Sequence, residues 1–262
     1  RVGVGYVSRI YQRTASHLNG ALMGTIAPVP PNKHMGVMLA MEGNRWLVTL
    51  VGYLGDHPPT DAQGFVDFAR TLPAPDIYEV IKDAEPLSEP VPAKFPASIR
   101  RRYEKMSRFP AGYLVMGDAI SSFNPTYGQG MTVAAMEARL LQTELTAGLD
   151  GLAQRFFPQA SKLIDIPWAL GAGGDLRFAE VEGKRNLAQR LINRYLNSFH
   201  RAAQHNPALV MAFGQVANLM APPASLLKPE VVWQVFWTNL KQRLPRCAPT
   251  QPAQPVWEGG AE

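Results

Sequence analysis

Residues 112–131 constrain this chain more than any other stretch. They read Gly-Tyr-Leu-Val-Met-Gly-Asp-Ala-Ile-Ser-Ser-Phe-Asn-Pro-Thr-Tyr-Gly-Gln-Gly-Met. The apolar centre of 113–116 predicts a short buried strand that stops at Gly117-Asp118. A turn through Asn124-Pro125 follows, and 130–147 then reads as one long helix closed by Gly148. Met131, Ala135, Ala138, Leu141 and Leu145 recur at helical spacing as its apolar stripe, and the small residues among them let the helix lie close to neighbouring backbone. Because Gly128 and Gly130 strip the helix start of side chains, it presents free amide N–H groups and about half a unit of positive charge. Such an end receives an anion or an electron-rich oxygen.

Upstream, the chain reads mainly as strands over 2–11, 21–26, 35–41 and 45–53. The Glu42-Gly43-Asn44 turn joins the last two as an antiparallel hairpin, since glycine and asparagine tolerate positive φ. Thr60 with Gln63 has the spacing of a capping box, ahead of a helical stripe of Phe65, Phe68 and Leu72. A short helix is expected over 76–83. Prolines at 86, 90, 92 and 96 then predict an extended edge segment leading to Arg100. Downstream, 152–244 is helical in pattern, with 186–203, 207–220 and 229–244 the clearest elements. The fold class expected is α+β: a mixed or antiparallel sheet, a strand-turn-helix segment and a helical C-terminal region. Its parts divide as 1–104, 105–148 and 149–245, with 246–262 a proline- and glycine-rich tail expected to be disordered.

Hydrophobic residues make up 46% of the 262 positions and charged ones 18%, enough apolar material for a substantial core. The single cysteine, Cys247, allows no internal disulfide or thiolate metal cluster and suits a reducing, cytoplasmic location. A net charge of +5 permits attraction to phosphates or anionic lipid, but Arg100-Arg101-Arg102 is too short a run for a nucleic-acid surface. It reads as a solvated face or a phosphate-facing turn. The five histidines, His17, His34, His57, His200 and His205, sit in no hydrolase or metalloprotease motif and read as structural or exposed. Trp46 reads as core rather than substrate contact. A chain that opens mid-strand at Arg1 without a methionine is expected to be a piece of something longer.

The 112–131 segment resembles the second FAD-binding signature of the flavoprotein monooxygenases that include aromatic hydroxylases, squalene epoxidases and related halogenases. The resemblance implies that Gly117 and Asp118 lie along the FAD pyrophosphate and ribityl chain, the glycine allowing close approach and the aspartate accepting a hydroxyl hydrogen bond. It implies that Pro125, Gly128, Gln129, Gly130 and Met131 face the pyrimidine edge of the flavin ring. The helix dipole there favours negative charge on reduced flavin by roughly 0.3–2 kcal/mol. The implied function is oxygenation of an apolar or aromatic small molecule by FAD, with NAD(P)H as electron donor and no metal.

The resemblance is incomplete. The family's opening Gly-x-Gly-x-x-Gly unit is absent: Gly3-Val4-Gly5 runs on as strand, and Gly171-Ala172-Gly173-Gly174 follows Pro167-Trp168 rather than a buried strand. The chain alone is therefore expected to bind FAD poorly. Two alternatives remain open. A flavin-dependent halogenase or isoprenoid reductase is built on the same frame. A non-catalytic, membrane-peripheral lipid-binding protein would use the apolar stretch 225–245, with its Trp233 and Trp237.

Overall fold

The computed structural model describes residues 1–183 and 187–243. Four strands carry the N-terminal sheet: β1 (Val4–Gln12), β2 (Met23–Ile26), β3 (His34–Met41) and β4 (Arg45–Gly52). A fifth, β5 (Val91–Phe95), completes it in the order β2-β3-β4-β1-β5, every pair antiparallel. The β3–β4 hairpin turns through Gly43 and Asn44, both at positive φ, as their side chains allow. Pro92 sits within β5 opposite Val7, and its missing donor is tolerated because β5 is an edge strand.

One sheet face carries Tyr11, Met38, Trp46, Val48 and Leu50, buried under α1 (Ala62–Ala69) and α2 (Asp76–Ile81). Trp46 is fully buried there, its indole N–H donating to His17 Nδ1 at 3.1 Å. Space between layers is so limited that a β-carbon on Gly36 would lie 2.7 Å from Ile77 Cδ1. Helix α1 departs from the expected capping box. Asp61, not Thr60, is the N-cap, accepting from the Gly64 amide at 2.7 Å, while Gln63 turns to Asp67. A carboxylate both caps the amide and complements the helix dipole, so it prevails over the adjacent hydroxyl.

Past the sheet, β6 (Ile99–Arg100) pairs with β7 (Ser121–Ser122), and α3 (Gly130–Leu145) packs along α4 (Leu152–Asp175). Ile120, Phe123, Val133, Phe156, Phe157 and Ile164 fill that second core. Helices α5 (Leu187–Ala203), α6 (Pro207–Ala217) and α7 (Pro229–Arg243) enclose a third around Phe199, Leu209 and Val235. The sheet-plus-helices architecture is the α+β class expected. The expected tail 246–262, Cys247, Asn186 and Leu244 lie outside the described residues.

Candidate functional site

The 113–116 segment is not the buried strand expected: among the described residues it pairs with no strand, Tyr113 is exposed, and Leu114, Val115 and Met116 are half-buried. From extended Met116 the chain enters Gly117 at φ +59, where a side chain would be strained, and turns through Gly117–Ala119 into β7. The turn is held from behind. Gly117 donates its amide to Glu137 Oε2 on α3 at 2.6 Å, and Glu137 is fully buried. Burial pushes the Glu137 carboxyl above its ordinary value; the Gly117 bond opposes this shift and the Asp118 charge adds to it.

Asp118 stands exposed at the tip of the turn. Its Oδ1 lies 3.9 Å from where a β-carbon on Gly130 would sit, so the carboxylate and the start of α3 share one surface. Helix α3 has no side-chain cap at Gln129, and its first-turn amides have no intrahelical acceptor. The Arg101 guanidinium joins the same rim, donating to the carbonyls of Asp118 and Ala119 at 3.5 and 3.4 Å. Its two neighbours are engaged elsewhere: Arg100 is buried on Asp165 and Ser161, and Arg102 pairs with Glu104.

Between Asp118 and Gly130 runs the Pro125–Tyr127 turn, with Pro125 and Gly128 exposed and Gly128 at φ +67. A buried polar network anchors it. Asn124 Oδ1 accepts from the Thr126 amide at 3.2 Å and from its hydroxyl at 2.9 Å. Tyr53 of the sheet side meets the same Thr126 hydroxyl at 2.8 Å. Asn124 Nδ2 and the Tyr127 hydroxyl both donate to Asp175 Oδ1, at 2.9 and 3.0 Å. Asp175 ends α4 with only 5% of its surface exposed, and burial raises its carboxyl above the ordinary value despite these donors. Burial likewise raises both phenols, Tyr127 most, so they stay protonated donors. The glycine run 171–174 lies in the last turns of α4 and makes room for the Tyr127 ring: a β-carbon on Gly174 would come within 2.3 Å of its hydroxyl.

The structure thus brings Asp118 beside Gly130, with Gly117 at the base of the turn and Pro125 and Gly128 exposed in the segment between them, and gives the two remaining side chains different surroundings. Gln129 turns inward, donating to the Ala217 carbonyl at 3.2 Å, and Met131 projects outward with 88% of its surface exposed. The α3 stripe expected to be buried is also reversed. Met131, Ala135, Ala138 and Leu145 are exposed and Leu141 is half-buried, while Val133, Glu137 and Leu140 face α4 and the Gly117 turn. The packed face of α3 is set by Val133, Glu137 and Leu140, and of the methionine, alanine and leucine stripe only Leu141 reaches that core. Glu137, Asp175 and Tyr53 are the residues that the sequence reading missed, and Arg101 entered it only within the Arg100-Arg101-Arg102 run, as a solvated face or a phosphate-facing turn. Their only signal was polarity at positions otherwise apolar or crowded with like residues.

No family model matches the chain. Over 182 residues it is 30% identical to Protein Rv3254 of Mycobacterium tuberculosis (strain ATCC 25618 / H37Rv), a match that covers 68% of this chain and 38% of that protein. Among solved structures, a flavoprotein/dehydrogenase from Cytophaga hutchinsonii superposes with a TM-score of 0.60 at 14% identity, covering 92% of this chain and 55% of the other. The flavin-dependent brominase Bmp2 gives 0.51 at 12% identity over 92% and 56%. The chain therefore spans about half the length of these structures and well under half of Rv3254. In fold, it resembles this flavoprotein/dehydrogenase and this flavin-dependent brominase.

Proposed function

We propose that this chain forms the flavin-ring side of a FAD-dependent oxidoreductase, a monooxygenase acting on an apolar or aromatic small molecule with NAD(P)H as electron donor. One observation carries the reading: a Gly-Asp turn and a bare helix tip, on separate elements, are held on one open rim with Asp118 beside Gly130. The residues suit FAD. A β-carbon on Gly128 would meet nothing within 4 Å, so the backbone there can approach a planar ring closely.

In this reading, Gly117 lets the ribityl chain approach and Asp118 accepts one of its hydroxyl hydrogens. Arg101 adds positive charge beside the pyrophosphate. The amides of Gly130 and Met131, rather than the Gln129 or Met131 side chains, face the pyrimidine edge, with Pro125 shaping the turn. FAD, when bound, supplies electron transfer and oxygen activation. The chain's own part is to orient the ring and to keep the turn rigid through Glu137 and Asp175. Residues 105–148 are the flavin half-site, 1–104 the substrate-binding region and the described part of 149–245 a helical cover. Away from α1 and α2, the sheet offers Tyr6, Ile10, Val37 and Leu47 half-buried, which suits an apolar substrate.

The test is to express the full-length gene product and measure flavin absorbance and FAD occupancy. Asp118→Ala should weaken FAD binding about ten- to a hundredfold, the worth of one hydrogen bond to a charged group, with the circular dichroism unchanged. Undiminished occupancy refutes the assignment.

A further inference from the structure

Helix α7 buries Val235 and half-buries Val231 against its own domain, but its other side is apolar too. Trp233 and Phe236 are 62% and 56% exposed, and Val232 and Trp237 join them. The two indoles stack with centroids 6.0 Å apart and planes 10° from parallel, and Lys241 Nζ lies 5.5 Å from the Trp237 ring centroid. Such a ridge of large aromatic side chains marks a surface that meets another phase or molecule.

Charge identifies the occupant. Across 187–242 there are five basic residues, Arg190, Arg194, Arg201, Lys228 and Lys241, against one acid, Glu230. All three arginines are exposed, and spacings of four and seven residues set them on one face of α5 beside exposed Leu187 and Leu191. Asn239 of α7 donates to the Ser198 carbonyl and hydroxyl oxygens of α5 at 2.9 and 3.2 Å. Arg194 and Arg201 lie one turn either side of Ser198, and Phe236 one turn before Asn239. The cationic ridge of α5 and the aromatic ridge of α7 therefore flank one helix-helix seam.

We propose that this seam docks on the surface of an anionic lipid bilayer, with the indoles and Phe236 in the headgroup boundary and the arginines on lipid phosphates. Indoles favour that boundary because one edge is apolar and the N–H remains hydrated. A second copy is a poor occupant, because each copy brings five basic residues against one acid over 187–242 and like charge would meet like across the contact. Nucleic acid would engage the arginines but leave the aromatic and aliphatic ridge uncovered. Among the described residues, no helix is long and apolar enough to cross a membrane, so the contact is one of lying on the surface. The inference stands apart from the flavin reading and can fail without it.

The experiment is co-sedimentation of the full chain with vesicles of phosphatidylcholine, with and without phosphatidylglycerol, alongside tryptophan quenching by brominated lipid. Binding is expected only with the anionic lipid, weakening in salt, with quenching lost in the Trp233→Ser/Trp237→Ser variant. Arg190→Gln/Arg194→Gln should reduce partitioning about fivefold for each charge removed. Circular dichroism on each variant separates lost binding from lost folding. Equal binding to neutral vesicles, or variants that fold and bind unchanged, overturns the proposal. So does a lipid-free dimer or a DNA complex that depends on these same residues.

Discussion

The amide of Gly117 and the carboxyl of Glu137, 20 residues apart in sequence, meet across 2.6 Å and tie the Gly-Asp turn to the back of helix α3. The other Glu137 oxygen, Oε1, is buried with no hydrogen-bond partner. A carboxyl so placed is an acceptor first and a charge second. Glu137→Gln retains the acceptor and should keep the fold, whereas Glu137→Ala leaves the Gly117 amide buried without a partner, at roughly 1–3 kcal/mol. Urea denaturation of the two variants checks this, and equal losses would place the effect in packing instead.

The same carboxyl sets a pH dependence of definite sign. Its folded-state value is raised above 4.5, chiefly by burial. The stability it contributes is therefore complete below the unfolded value and is lost as pH rises through the folded one. Relative to Glu137→Gln, the unaltered chain should lose stability as pH climbs above 4.5. Thermal melts across that window test it; curves that stay parallel contradict the assignment. Asp175, raised for the same reason, contributes a second loss of the same sign, removed separately by Asp175→Asn.

His200 works in the opposite direction. Desolvation first, then the Arg177 charge, lower its value from 6.5 to about 4. Its ring packs edge-on to Phe213 at 4.9 Å, and Nε2 is buried without a partner. Its contribution is complete above 6.5 and is lost as pH falls toward 4, up to about 3 kcal/mol for a shift of this size. His200→Phe should flatten the acid limb of the stability profile while leaving the Glu137 step intact.

How much of this was legible depends on how far apart the partners lie. Trp46, Val48 and Leu50 alternate along one strand and pack on Phe65 and Phe68, so the sheet and its helical cover could be read from period alone. Asp118 and Gly130 fall within one continuous signature, so the rim could be located. The residues that fix the rim could not. Asp175 reaches Asn124 across 51 residues, and nothing in a glycine-rich helix end announces a carboxyl aimed at a turn. The face of α3 has a related cause: its methionine, alanine and leucine stripe satisfies the helical period, but the period gives no sign that a carboxyl, Glu137, is the group buried against the Gly117 turn.

The fit between Tyr127 and the end of α4 makes the last prediction. A β-carbon on Gly174 would lie 2.3 Å from the Tyr127 hydroxyl and 2.8 Å from Cζ, so the ring must swing and release Asp175. Gly174→Ala should then cost about 1–3 kcal/mol, more than an alanine near a helix end ordinarily would. Where Tyr127→Ala has already removed the ring, the same glycine change should be close to neutral. The coupling between the two positions, measured by a double-mutant cycle in urea, should exceed about 1 kcal/mol. Additive losses would mean that the glycine serves the helix rather than the tyrosine.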